Sequence, residues 1–129
     1  MAILATAGGL VSNPSKAKGT AFETAVVGYF NERGIPCERR ALHGNTDKGD
    51  IAAIPEWTLE LKNRRRLAIG GAVDEAALEA ANAHTRWYAA IVKRPRKGNP
   101  AEAFAVMPLS ELVSLILELQ STQQRIAGG

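Results

Sequence analysis

The sequence predicts a single mixed α/β domain, one central sheet with helices packed against it, in the order helix, three strands, helix, two strands, helix. Three observations predict it. The chain is 129 residues long and 46% hydrophobic, enough for one domain with a buried core. Apolar residues recur at helical spacing in three stretches. Between those stretches lie short alternating or continuously apolar runs bounded by glycine and proline, as strands are.

Residues 1–15 read as a loose tail that ends in the breaker cluster Ser12-Asn13-Pro14-Ser15, and the domain proper spans 16–125. From Ala17 to Arg33, Ala21, Phe22, Ala25, Val26, Tyr29 and Phe30 form a helical stripe, and Gly34 stops it. Ile35–Leu42 suits a strand, His43–Gly49 a polar loop, and Asp50–Ile54 a short apolar strand. Pro55-Glu56 is a turn signal, and Trp57–Lys62 alternates as the third strand. Val73–Ala83, after Gly70-Gly71, is Ala/Glu-rich and helical. Trp87–Lys93 and Ala103–Met107 are strands on either side of the basic Gly/Pro loop Pro95–Pro100. Leu109–Gln124 is a helix whose Leu112, Val113, Leu115, Ile116, Leu117 and Leu119 cover more than one face, which suits either packing on the sheet or a dimer seam.

Composition narrows the classes. Cys37 is the only cysteine, so no internal disulfide forms, which is compatible with a reducing cytoplasm in a bacterial, archaeal or phage-infected cell. No apolar run is long enough to span a bilayer. A net charge of +3 points only weakly to an anionic partner. There is no phosphate-cradling glycine motif, nucleophile elbow, helix-turn-helix or zinc-ligand spacing.

Chemistry concentrates in the first half. In Trp57–Lys62, alternation sends Thr58, Glu60 and Lys62 to one face and Trp57, Leu59 and Leu61 to the other. Taken alone, Glu60 and Lys62 form an ordinary ion pair on a half-buried strand. Asp50 opens the neighbouring apolar run, where aspartate is disfavoured. Two adjacent carboxylates repel unless a cation lies between them, and hard oxygen ligands suit Mg²⁺ or Mn²⁺. Register decides whether they meet. A two-residue turn at Pro55-Glu56 pairs Asp50 with Leu61 and turns it away from Glu60, so a shared site requires a longer connection, a bulge or a kink at Asp50. Glu23 falls within the arc of the first helix's apolar stripe, where it snorkels or takes a partner.

Lys18-Gly19-Thr20-Ala21-Phe22-Glu23, then Gly49-Asp50-Ile51-Ala52, then Glu60-Leu61-Lys62 resemble, in that order, the PD-(D/E)XK nuclease superfamily, and within it the archaeal-type Holliday junction resolvases. The resemblance covers roughly residues 16–66. It departs at Gly49, where the superfamily name has proline, and at Thr46, where those resolvases have serine. It implies a restriction-endonuclease-like fold and a Mg²⁺- or Mn²⁺-dependent endodeoxyribonuclease. In that scheme Glu23, Asp50, Glu60 and Lys62 are catalytic. Asp50, Glu60 and the Leu61 carbonyl bind the metal, with Glu23 reaching it through water. Lys62 would orient the attacking water or stabilise charge at the phosphorus. His43 and Asp47 are further loop candidates, though a solvated loop is their plainer reading.

Cations to follow the phosphates of branched or duplex DNA are Lys16 and Lys18 ahead of the first helix, Arg39, Arg40, Lys48, Arg64, Arg65, Arg66, Arg94, Arg96 and Lys97, with Thr46 on the loop beside them. A four-way junction needs two cuts, which a homodimer would supply. The competing expectations are a restriction, repair or end-processing nuclease of the same superfamily, and a catalytically silent nucleic-acid-binding subunit.

Overall fold

The computed structural model describes residues 14–40, 48–64 and 68–128, with side chains from residue 19 onward. Helix α1 (Pro14–Glu32) leads to β1 (Glu38–Arg39), β2 (Ile51–Ala52) and β3 (Trp57–Lys62). Helix α2 (Ile69–Ala83) connects β3 to β4 (Trp87–Val92), and a short 3₁₀ turn (Pro100–Glu102) precedes β5 (Phe104–Val106) and helix α3 (Leu109–Gly128). The domain is a small α/β domain with three helices, and among the described residues its strands form a two-stranded sheet, β1-β2, and a three-stranded mixed sheet, β3-β4-β5, in place of the single central sheet expected, because the short β2 ladder stops before it joins β3.

The first helix opens on Pro14, a residue suited to the first helical position because its missing N–H has no intrahelical role there. It ends at Gly34, whose φ of +89° lets the Ile35 amide fold back to the Phe30 carbonyl at 2.9 Å. Asn31 then ties the start of β1 to the helix, its side-chain oxygen accepting the Cys37 amide at 2.9 Å.

Strands β1 and β2 pair antiparallel, Glu38 opposite Ala52 and Arg39 opposite Ile51. Strands β3 and β4 pair in parallel from Trp57↔Trp87 to Lys62↔Val92, the helical crossover between them being the connection a parallel pair requires. Strand β5 runs antiparallel to β4 at the sheet edge.

One face of the sheet packs under α1. Phe22, Val26, Ile51, Leu59, Leu61, Ala89 and Ile91 make the core there, and Val26 and Ile51 are each only 2% exposed. Burying side chains of that size contributes roughly 1.5–3 kcal/mol apiece. The other face packs under α2. Ala72, Ala76 and Ala80 are buried one turn apart, and side chains this small let the helix lie close over Thr58, Glu60 and Lys62. Helix α3 has no buried residue, and Glu118 joins it to Arg86 at 3.5 Å.

Several boundaries differ from the sequence reading. Helix α1 begins at Pro14, so Lys16 and Lys18 belong to the helix instead of preceding it. Helix α2 begins at Ile69 and takes in Gly70-Gly71, because first-turn amides have no intrahelical acceptor to lose. The ladder of β1 is two residues long rather than eight, with Ala41 and Leu42 outside the described residues. The β2 ladder ends at Ala52 because Ala53 turns to φ +78°. No helix among the described residues is long and apolar enough to cross a membrane.

Candidate functional site

The two sheets meet at Asp50, and the backbone there is kinked. Within a regular strand, a residue's N–H and C=O point to the same neighbour. At Asp50 they part. Its amide donates to the Leu59 carbonyl at 3.0 Å, while its carbonyl accepts from the Arg40 amide at 2.9 Å. The Leu61 amide is therefore left without a main-chain acceptor from Asp50, and the Asp50 carboxylate takes that place, Oδ2 accepting at 2.7 Å. Gly49 makes this possible. Its φ is +96°, and a Cβ there would lie 2.9 Å from Thr58 Cγ2 and 3.2 Å from the Leu59 carbonyl oxygen. The register requirement set by the sequence is met by this kink.

The kink brings the Asp50 carboxylate to Glu60. Glu60 is 5% exposed, and its carboxyl forms a side-chain hydrogen bond with Asp50. Burial first, then that hydrogen bond and the Asp50 charge, and last the Glu79 charge push Glu60 up to about 10, against the opposing pull of Lys62. Near neutrality Glu60 therefore holds its proton.

Lys62 lies on the same face, 3.0 Å from Glu60 and 2.5 Å from Glu75. Burial alone would depress its ammonium, but hydrogen bonds and charge from Glu75 and Glu60 outweigh it and hold Lys62 above its ordinary value. Glu79, 1% exposed on the same side of α2, completes an acidic group in which Glu60, Glu75 and Glu79 each offer an oxygen within 4.8 Å of the others. The Lys62 carbonyl accepts from the Lys93 amide at 3.0 Å, on the β4 side. Alternation then directs the Leu61 carbonyl to the Asp50 side. Two carboxyl groups and an ammonium thus meet where the two sheets adjoin, with the Leu61 carbonyl directed to the Asp50 side.

Asp50, Glu60, Lys62 and Leu61 are brought together. Glu23 is not among the charged neighbours of Glu60 or Lys62. It accepts from Arg39 at 3.1 Å, which ties α1 to β1. Among the proposed DNA contacts, Arg40, Lys48 and Arg64 are exposed and flank the site in sequence. Arg94 lies over the Phe104 ring, Arg96 is exposed, and Lys97 approaches Glu102 at 4.0 Å, all on the loop before β5. Thr46, Arg65, Arg66, His43 and Asp47 lie outside the described residues, as do the side chains of Lys16 and Lys18.

Sequence reasoning missed Glu75 and Glu79. The signal was present: both fall on the face of the Ala72, Ala76, Ala80 stripe, where a solvated glutamate does not belong.

No family model, no curated protein and no solved structure matches this chain.

Proposed function

We propose that the domain is a metal-dependent DNA endonuclease of the PD-(D/E)XK type that acts on four-way junctions. The observation carrying this reading is the meeting of Asp50 and Glu60 at a kink, with Lys62 on the same face. The run of helix, three strands, helix, two strands and helix, with its two small sheets meeting at Asp50, is compatible with a restriction-endonuclease-like domain.

The donor set fits a hard divalent cation. Asp50 and Glu60 offer carboxyl oxygens side by side, and Leu61 directs its carbonyl to the same side. Those three would hold Mg²⁺ or Mn²⁺. When bound, the ion supplies Lewis-acid polarisation of a phosphate oxygen and a water of lowered pKa. The chain itself does the rest. Lys62, fully charged between two carboxylates, stabilises negative charge growing on the phosphate and is a poor proton acceptor. Arg40, Lys48 and Arg64 bind flanking phosphates. Recognition follows backbone and shape, since no base-reading element is evident in the sequence.

The test is cleavage of end-labelled four-way, forked and linear DNA with Mg²⁺. The expected result is paired, symmetric nicks on the four-way substrate. Asp50→Asn and Glu60→Gln should each lower cleavage by about a thousandfold or more, the loss of several kcal/mol of charge stabilisation, with DNA binding retained. Absence of divalent-dependent cleavage on all three substrates would overturn the reading. Preference for linear duplex would move it to a restriction or repair role.

A further inference from the structure

Among the described residues, no strand pairs with β5 on the side away from β4. The main chain shows which groups that edge presents. The Trp87 amide donates to the Glu56 carbonyl at 2.8 Å and the Lys93 amide to the Lys62 carbonyl at 3.0 Å, so every second residue from Trp87 turns its main chain to β3. Ala90 and Val92 turn theirs to β5, opposite Val106 and Phe104. Ala105, between those two, therefore directs its amide and carbonyl outward, and it is exposed. Natural edges are blunted by charge or proline, and Phe104-Ala105-Val106 carries neither.

A seat for side chains lies beside those groups. A cavity of about 370 Å³ opens on the α1 face of the sheet, lined by Ala105 and Met107 together with Ile35, Trp57 and Ile91 among others. Its described lining carries no charged side chain. Phe104 falls on the opposite face, with the Arg94 guanidinium 5.7 Å above its ring. Arg94 belongs to the run 93–97, which holds four cations and no acid, and Glu102 faces Lys97 within it. The edge thus offers main-chain rungs, an apolar hollow on one side and a cation on the other.

We propose that this edge binds an extended peptide of a protein partner by strand addition, antiparallel to β5, with alternate apolar residues entering the cavity and an acidic residue between them facing Arg94. Strand geometry fixes that pattern. A residue directly opposite Ala105 exchanges both main-chain hydrogen bonds with it, and its side chain falls on the cavity face, as do those two positions either way. The residue opposite Phe104 falls on the Arg94 face, where a carboxylate complements the cation. Strand β5 is three residues long, so main-chain bonds alone bind weakly and the cavity supplies the remaining affinity. Charge and shape together select this occupant. A duplex would use the cations and leave the outward amide and the uncharged hollow unfilled. A second copy pairing edge to edge would set Arg94 of each chain on the same face of one short ladder, cation toward cation. The seat draws on none of Asp50, Glu60 or Lys62, so it is independent of the nuclease reading.

The test is fluorescence anisotropy of the labelled peptide Thr-Ile-Thr-Ile-Glu-Ile-Asp against the full chain, its central isoleucine meant for the place opposite Ala105. Saturable binding below about 1 mM is expected. N-methylation of the central isoleucine removes the N–H that would donate to the Ala105 carbonyl, and should weaken binding at least about tenfold. Ala105→Pro removes the outward amide without touching the β4 ladder, and should weaken binding as much while leaving the thermal melt unchanged. Arg94→Glu should weaken it as well, and a peptide with lysine in place of glutamate should recover the loss. That exchange leaves the strand alone, so it decides the matter if the proline variant fails to fold. No saturation below about 1 mM would overturn the proposal. So would binding indifferent to N-methylation, since the peptide would then fill the cavity without joining the sheet. Displacement of the peptide by a short DNA duplex would assign Arg94 to nucleic acid and overturn it. A wild-type chain that binds no peptide but sediments as a dimer broken by Ala105→Pro would assign the edge to a second copy and overturn it too.

Discussion

At the scale of single residues, the buried acid of β3 sets the pH behaviour. Glu60 has its folded pKa raised from 4.5 to about 10. A raised group contributes stability that is fully present below its unfolded value and lost as pH rises toward its folded one. The metal-free protein should therefore lose stability across that window, as thermal melts in chelator would show. On the proposed reading a divalent ion would displace the Glu60 proton, so its binding near neutrality should release protons. Titration calorimetry in buffers of different ionisation enthalpy measures that release, and buffer-independent heats would contradict it. Glu75 supplies a second expectation. Once Glu60 serves a cation, Glu75 remains as the counter-charge of Lys62. Glu75→Gln should weaken Mn²⁺ binding by about tenfold, since an unbalanced ammonium beside the ion costs on the order of 1.4 kcal/mol or more. Lys62→Met should remove that sensitivity. Asp50, Glu60 and Lys62 were legible from alternation and from an aspartate out of place. Glu75 and Glu79 were missed although they share the face of the Ala72, Ala76 and Ala80 stripe, because an Ala/Glu-rich helix also reads as a solvated one. Glu23 was legible as a glutamate leaning toward the stripe, but its partner Arg39 depends on how β1 crosses α1.

At the scale of elements, β3, β4, α1 and α3 were readable almost to their ends, since each carries a full period of its own pattern. Strand β1 was not. Its residues alternate over eight positions, but the ladder needs a partner, and β2 offers only Ile51 and Ala52 before Ala53 turns to positive φ. The start of α2 was hidden by Gly70-Gly71, which signal a break in sequence but lie in a first turn where they are tolerated. The kink at Asp50 is an element-scale device that depends on Gly49. Gly49→Ala meets both a left-handed backbone and a contact under 3 Å with Thr58. It should destabilise the domain by roughly 1–3 kcal/mol and move the Asp50 carboxylate off the Leu61 amide. A chemical-denaturation midpoint unchanged from wild type would argue against this account of the turn.

At the scale of the whole molecule, a net charge of +3 says little until it is located. Arg39 and Lys97 each face a glutamate, whereas Arg40, Lys48 and Arg64 are exposed and flank the site in sequence. If these three meet phosphates, each adds about 0.9 to the slope of log affinity against log salt for duplex arms. Arg64→Ala should lower that slope by about one, measured by fluorescence anisotropy on a fixed DNA, while Arg39→Ala should change it less. The α/β class was legible in the sequence, whereas the division of the strands into two sheets was not, because it depends on where the β2 ladder stops. The outward face of α3 was half legible, because its excess of apolar residues was plain while the side it turns to solvent is fixed by Arg86 and Tyr88.

The side chain of Asp50 mimics backbone in accepting from the Leu61 amide, and on the proposed reading it would serve as a charged ligand as well. The two tasks need different atoms, because an amide oxygen can accept from Leu61 but cannot balance a dication. Asn at this position would preserve the architecture while emptying the chemistry, whereas Ala would unstitch two strands along with it. Any loss of activity in the alanine variant would therefore mix a broken seam with a missing ligand.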